Sequence, residues 1–178
     1  MEIVAAVIVI ALFLVFGVWV LSTVVIGVPY LGTPGKSARA VFSYLRTHCS
    51  IPFSEAVFVD LGSGLGNMVF AAEREGFRRV IGYECVAMYA WIAWIRAWIR
   101  RSRVTVRCAR AEHADFAAVD VVYCFLNSSG IRAVEQHLFS RTRPGTWIVM
   151  LGCGSSLHTP ADVVEMAPGI RLYVYRIP

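Results

Sequence analysis

The sequence predicts a doubly wound, mostly parallel α/β sheet carried behind a single N-terminal transmembrane helix. Three observations carry that expectation. From residue 56 onward, short apolar, β-branched runs alternate with helical stretches of about ten residues, the pattern of a parallel sheet with helices on both faces. The first of those runs leads directly into a glycine-rich turn and a helix start, Leu61-Gly62-Ser63-Gly64-Leu65-Gly66-Asn67. The 26 residues from Ile3 to Val28 contain no charge and no proline.

As a helix rising about 1.5 Å per residue, the N-terminal run spans roughly 39 Å. A hydrocarbon core is about 30 Å thick, so the run crosses it with some tilt. A secretory signal peptide needs a basic start and a shorter apolar stretch. Here only Met1-Glu2 precede the run, and the first basic residue is Lys36. Lys36, Arg39 and Arg46 follow the span, and the positive-inside rule places the remainder on the cytoplasmic side, most simply of a bacterial plasma membrane. The expected organisation is an anchor over 1–28, a connecting segment with a helix over 29–50, and a folded domain over 51–178.

Pro29-Tyr30-Leu31-Gly32-Thr33-Pro34-Gly35 reads as a stiff, turn-rich exit. Val41, Phe42 and Leu45 give an apolar face to a helix over about 37–47, which Ser50-Ile51-Pro52 ends. Strands are expected at 56–61, 79–84, 104–108, 120–126, 146–151 and 171–177. Helices are expected at 67–75, closed by Gly76, at 88–101 and at 131–139, with a short helical stretch between the loop 152–160 and the last strand. In the helix over 88–101, Trp91, Trp94 and Trp98 recur at i, i+3 and i+7. That stripe predicts a wide apolar face packed on the sheet; contact with a membrane interface is the other reading.

A mean hydropathy of +0.61 and 57% hydrophobic residues exclude the disordered class. Beyond Glu2 the chain has 17 basic and 11 acidic residues, a net charge of +6, and 16 of the 17 are Arg. A basic body suits an anionic cytoplasmic leaflet. No helix-turn-helix, zinc-finger or RNA-binding signature accompanies the charge, so no nucleic-acid partner is expected. The five cysteines, with no C-x-x-C, read as free buried thiols in a reducing compartment. The four scattered histidines have no metal spacing, and no metal site is predicted. Hydrolase and kinase readings lack their motifs.

Glycines at a strand-to-helix turn let the backbone approach a ligand and leave N–H groups free at a helix start. Glu84 ends the next strand, 24 residues after Asp60, where an acid reaches ribose hydroxyls in a doubly wound fold. A dinucleotide fingerprint would need a third glycine at position 67, which is Asn. Instead the glycines fall at 62, 64 and 66 behind Asp60. This D-x-G-x-G-x-G run resembles motif I of class I S-adenosylmethionine-dependent methyltransferases. Pro29-Tyr30…Thr33-Pro34, Gly82-Tyr83-Glu84, Asp120-Val121-Val122-Tyr123, Arg143-Pro144-Gly145-Thr146 and Thr159-Pro160 extend the likeness to single-span, membrane-anchored protein-lysine N-methyltransferases of mitochondrial type and their prokaryotic relatives.

The resemblance implies a Rossmann-like methyltransferase domain with S-adenosylmethionine as cofactor. Asp60, Gly62, Ser63, Gly64 and Gly66 would hold its methionine part and Glu84 its ribose. The resemblance implies an acid beside the adenine after strand 3, where this chain has Arg110; Glu112 and Asp115 stand nearby to substitute, Glu112 being the candidate cofactor-binding residue. After strand 4, Leu126-Asn127-Ser128-Ser129-Gly130 would flank the methyl group, with Asn127 accepting a hydrogen bond from a substrate amine. The alternative is that Ser128 or Ser129 only caps the next helix. The implied reaction is in-line methyl transfer to lysine of a membrane-associated protein, with the bilayer as a second partner and the oligomeric state open. A lipid or quinone methyltransferase of the same fold and a non-catalytic membrane module are the alternatives.

Overall fold

A computed structural model of the chain describes residues 2–26 and 32–178, the side chains of residues 8, 12 and 18–26 lying outside that description. The chain divides into two units, Met1–Leu31 and Gly32–Pro178. Among its described residues the first holds one helix, α1, Glu2–Ile26. Its described side chains lie between Glu2 and Gly17, a stretch of about 24 Å against the roughly 30 Å of a hydrocarbon core. Among the described residues no helix is long and apolar enough to cross a membrane, so the expected span is not met on that stretch. The expected exit at Pro29-Tyr30-Leu31 falls outside the described residues.

The second unit runs α2 (Gly35–His48), β1 (Val57–Leu61), α3 (Asn67–Arg74), β2 (Arg79–Glu84), α4 (Ala87–Ile99), β3 (Thr105–Cys108), a single 3-10 turn (Ala111–His113), β4 (Val121–Cys124), α5 (Ser128–Arg141), β5 (Trp147–Leu151), β6 (Asp162–Ala167) and β7 (Ile170–Arg176). Seven strands form one sheet in the order β3-β2-β1-β4-β5-β7-β6. The first five are mutually parallel, and β7 runs antiparallel to β5 and to β6. The expected doubly wound, mostly parallel sheet is therefore present.

Every residue of β1 and β4 is buried, as strands covered on both faces must be. On one face Phe58 packs with Phe42 and Leu45 of α2 and Phe70 of α3; on the other Val59 and Leu61 join Ile131, Leu138 and Ile148. Successive side chains alternate between these faces, which puts Asp60 on the Phe58 side, in register between Gly82 and Tyr123.

Three expectations need correction. The short helix expected before the last strand is strand β6, joined to β7 by the two-residue turn Pro168-Gly169. Val163 and Val164 favour the strand, and Gly169 takes the left-handed conformation at φ 75° that the turn requires. The tryptophan stripe of α4 turns largely outward: Trp91 and Trp98 are exposed, and Trp94 reaches only the edge strand, donating from Nε1 to the Val106 carbonyl at 2.7 Å. The helix buries Ala90, Ala93 and Ala97 instead, because small residues let it lie close to the narrow edge formed by β2 and β3. Of the five free thiols only Cys49 and Cys124 are buried; Cys85 and Cys108 are exposed and Cys153 is half-buried. Cys108 sits on the edge strand and Cys85 just past the end of β2, where neither is covered.

Candidate functional site

The strand order reverses between β1 and β4, and ligands of open α/β sheets bind outside the carboxyl ends of strands at such a switch point. The turn there is built on Gly62, Gly64 and Gly66, at φ 76°, 53° and 85°, a region costly for residues with a Cβ. The N–H groups of Gly62 and Ser63 both donate to the Tyr83 carbonyl at 2.9 Å, fastening the turn to β2. Where a Cβ would stand on Gly62, Leu126 Cδ2 lies 2.7 Å away, so the segment leaving β4 closes on the turn.

Glu84 is buried at the end of β2. Its Oε2 accepts from the Gly64 N–H at 2.7 Å and its Oε1 from the Val86 N–H at 2.8 Å. One carboxylate thus ties the glycine turn to the chain entering α4, and each oxygen retains a lone pair for a further donor.

Asp60 is 3% exposed, and no donor among the described residues reaches its carboxyl. Burial, and then the neighbouring charge of Glu84, hold that carboxyl well above the usual carboxylate range. A buried carboxyl that no donor among the described residues reaches fits a ligand that brings an ammonium group or hydroxyls. Beside it in register, the Tyr123 hydroxyl bonds Thr33 Oγ1 at 2.9 Å, and burial raises the phenol far above its ordinary range. That contact staples the entry to α2 against β4. Sequence alone gives Thr33 and Tyr123 no role, although both stand in segments that carry the family resemblance.

Ser63 turns toward β2. A Cβ on Gly82 would lie 2.7 Å from its Oγ, and the hydroxyl is buried without a partner among the described residues. Arg96 of α4 donates from Nη1 to the Leu65 carbonyl and, at 3.1 Å, to Asn67 Oδ1, latching α4 to the far end of the turn. Only its place on the expected helix was legible beforehand.

Glu112 and Arg110 come together as a surface ion pair at 3.0 Å. The hydrogen bond from Arg110 holds the Glu112 carboxyl below its ordinary value. Asp115 Oδ1 accepts from the Ala117 N–H at 3.1 Å. Both acids near the expected adenine position therefore have partners within their own loop. Asn127 is the N-cap of α5: its Oδ1 accepts from the Gly130 N–H at 2.8 Å. Asn127, not Ser128 or Ser129, does the capping, and the oxygen expected to meet a substrate amine is engaged by the helix.

Two residues of the resemblance are structural. Asp120 Oδ2 accepts from the Val57 N–H at 2.7 Å, and Arg143 donates to Asp120 and, at 3.3 Å, to the Val119 carbonyl. These contacts close the amino ends of β1 and β4, the edge opposite the glycine turn.

A family model described as ANTKMT methyltransferase domain matches residues 60–153, which hold the turn, Glu84 and the segment after β4. A Xenopus laevis lysine N-methyltransferase named for an ATP synthase component is 37% identical over 70 residues, 39% of this chain and 28% of that protein. The adenine nucleotide translocase lysine N-methyltransferase of Mus musculus is 32% identical over 124 residues, 68% of this chain and 52% of that protein. The chain thus spans about half, or less, of the length of these relatives. Among solved structures, an RNA methyltransferase from Salinibacter ruber in complex with S-adenosyl-L-homocysteine matches with a TM-score of 0.72 at 25% identity, covering 83% of this chain and 94% of that one.

Proposed function

The chain belongs to the ANTKMT methyltransferase domain family, and from that premise we propose that it is a protein-lysine N-methyltransferase held at a membrane. S-adenosylmethionine is its cofactor. The observation that carries the reading is the pair of buried carboxyls at the glycine turn, Asp60 without a donor among the described residues and Glu84 with lone pairs to spare. Asp60 would hold the cofactor's amino group, the turn its methionine part and Glu84 its ribose, with Glu112 toward the adenine. The cofactor, when bound, supplies a methyl group on a positively charged sulfur. The chain supplies orientation and exclusion of water. Among Leu126–Gly130 no side chain is an uncommitted base. The lysine must then arrive neutral, and desolvation at the mouth of the site, which lowers an ammonium pKa, favours that form.

A protein lysine is the proposed acceptor because both relatives are named as lysine N-methyltransferases of proteins. The membrane is proposed from α1. Its backbone is helical over 25 residues, Glu2–Ile26, roughly 37 Å in length, Glu2 is its only charge, and the basic flank follows it. By that flank the domain faces the cytoplasm. The test is incubation of the full chain and membranes with methyl-labelled cofactor, followed by gel separation, solvent extraction and nuclease digestion. Label that stays in protein and is recovered as methyl-lysine after acid hydrolysis supports the proposal. Label in extractable lipid or in nuclease-sensitive material sinks it.

A further inference from the structure

We propose that the outer face of α4 docks on an anionic lipid bilayer. The helix leaves its bulkiest side chains outside: Trp91 is 60% exposed, Trp94 45%, Ile95 38%, Trp98 81% and Ile99 67%. At about 100° per residue these five occupy an arc of roughly 140° with no polar side chain inside it. Single exposed apolar residues are ordinary on protein surfaces; a contiguous stripe with three tryptophans marks an interaction site.

Charge selects the occupant. From Cys85 to Ala111 the chain has six Arg and no Asp or Glu, so every charge in the segment is positive. Arg100, Arg101 and Arg103 gather exposed at the carboxyl end of the stripe, and Arg107 is exposed on the edge strand beside it. Tryptophan and arginine together suit the boundary between acyl chains and phosphates, where the ring meets apolar carbon and the guanidinium meets anionic oxygen. A second copy of the chain is a poor occupant, because an isologous interface would pair this segment with its own copy, and with no Asp or Glu between Cys85 and Ala111 neither side offers the other's arginines an opposite charge. α4 begins three residues after Glu84, so docking of its outer face sets the start of the helix, next to the glycine turn, beside the bilayer. The proposal holds whether or not α1 spans that bilayer.

Total binding is not the readout, since α1 is itself a proposed anchor. The full chain is reconstituted in vesicles of phosphatidylcholine alone, or with about one third phosphatidylglycerol, each with and without brominated acyl chains, and tryptophan emission is followed. The expected result is quenching at least about twofold stronger in the anionic vesicles, reduced at high salt. The difference should vanish in W91S/W98S and persist in W147F, whose site lies on β5. Both substituted tryptophans of α4 are exposed, so the fold should survive, as circular dichroism would verify. R101E/R103E keeps every tryptophan and should lose the dependence on lipid charge. Equal quenching of the unaltered chain in the two vesicles overturns the proposal. So does a charge-dependent difference that survives in W91S/W98S. Concentration-dependent self-association removed by W91S/W98S, without any lipid effect, overturns it in favour of a second copy.

Discussion

Removing the Glu84 carboxylate takes away the acceptor for two backbone N–H groups, Gly64 at the turn and Val86 before α4. Glu84→Ala is expected to weaken S-adenosylmethionine binding by about 1.5–3 kcal/mol, roughly 10- to 150-fold, the range for hydrogen bonds to a charged group. Calorimetry measures this directly, and an unchanged dissociation constant removes Glu84 from the site. Asp60 makes a prediction of opposite sign for stability. Its folded-state pKa is raised, by burial and then by Glu84, so between the unfolded and the folded value the native chain binds more proton than the unfolded chain. Stability contributed at this residue is intact below the unfolded value of about 3.9 and is lost as pH rises toward the folded value. Asp60→Asn should therefore stabilise the cofactor-free protein against urea at pH 7, with the gain shrinking toward pH 4, while cofactor affinity falls. A gain that is larger in acid, or none at pH 7, would show that the carboxyl does not carry this strain.

The helices make their own demands on the site. Buried Glu135 of α5 accepts from Ser155 Oγ at 2.6 Å, the Ser156 N–H at 2.8 Å and Ser156 Oγ at 2.6 Å. Burial alone would raise this carboxyl, yet the serine hydrogen bonds outweigh it and hold it below its ordinary value. Its contribution is present above the unfolded pKa and is lost as pH falls. Glu135→Ala should cost about 1.5–3 kcal/mol and speed amide exchange selectively over residues 152–161; uniform or absent acceleration would deny it the role of a loop clamp. None of this was legible in the sequence, where Glu135 is one more acid on a helix and Ser155-Ser156 a polar loop. The tryptophans of α4 misled for a related reason. Periodicity finds an apolar face but not what it faces, and here three alanines fill the narrow gap above β2 and β3. For β6 the turn chemistry of Pro168-Gly169 and the valines before it were in plain view, and the helical reading overlooked them.

At the scale of the whole chain, what the sequence revealed is what neighbours along the chain decide. The parallel strands, the glycine turn and the position of Glu84 follow from local pattern and from the fixed geometry of a strand–turn–helix unit. Contacts between distant residues stayed hidden: Thr33 with Tyr123, Arg96 with Asn67, Glu135 with Ser155. The division into Met1–Leu31 and Gly32–Pro178 leads to the last prediction. A chain beginning near Pro29 retains α2 and the seven strands described, and among the described residues those buried against the sheet lie in it. It should fold and bind S-adenosylmethionine with the affinity of the full chain. Without the proposed span it should leave the membrane fraction at high salt, and stay on anionic membranes at low salt through α4 and its arginines. Methylation of a membrane-resident target should fall more than cofactor binding does, because tethering supplies an effective concentration that free diffusion lacks. Fractionation of both chains at low and high salt, with binding and methyl transfer assayed on each, tests every step. A full chain that stays in solution without detergent, or a shortened one that resists extraction at high salt, would refute anchoring by α1, whereas loss of cofactor binding in the shortened chain would show that the first unit helps to build the site.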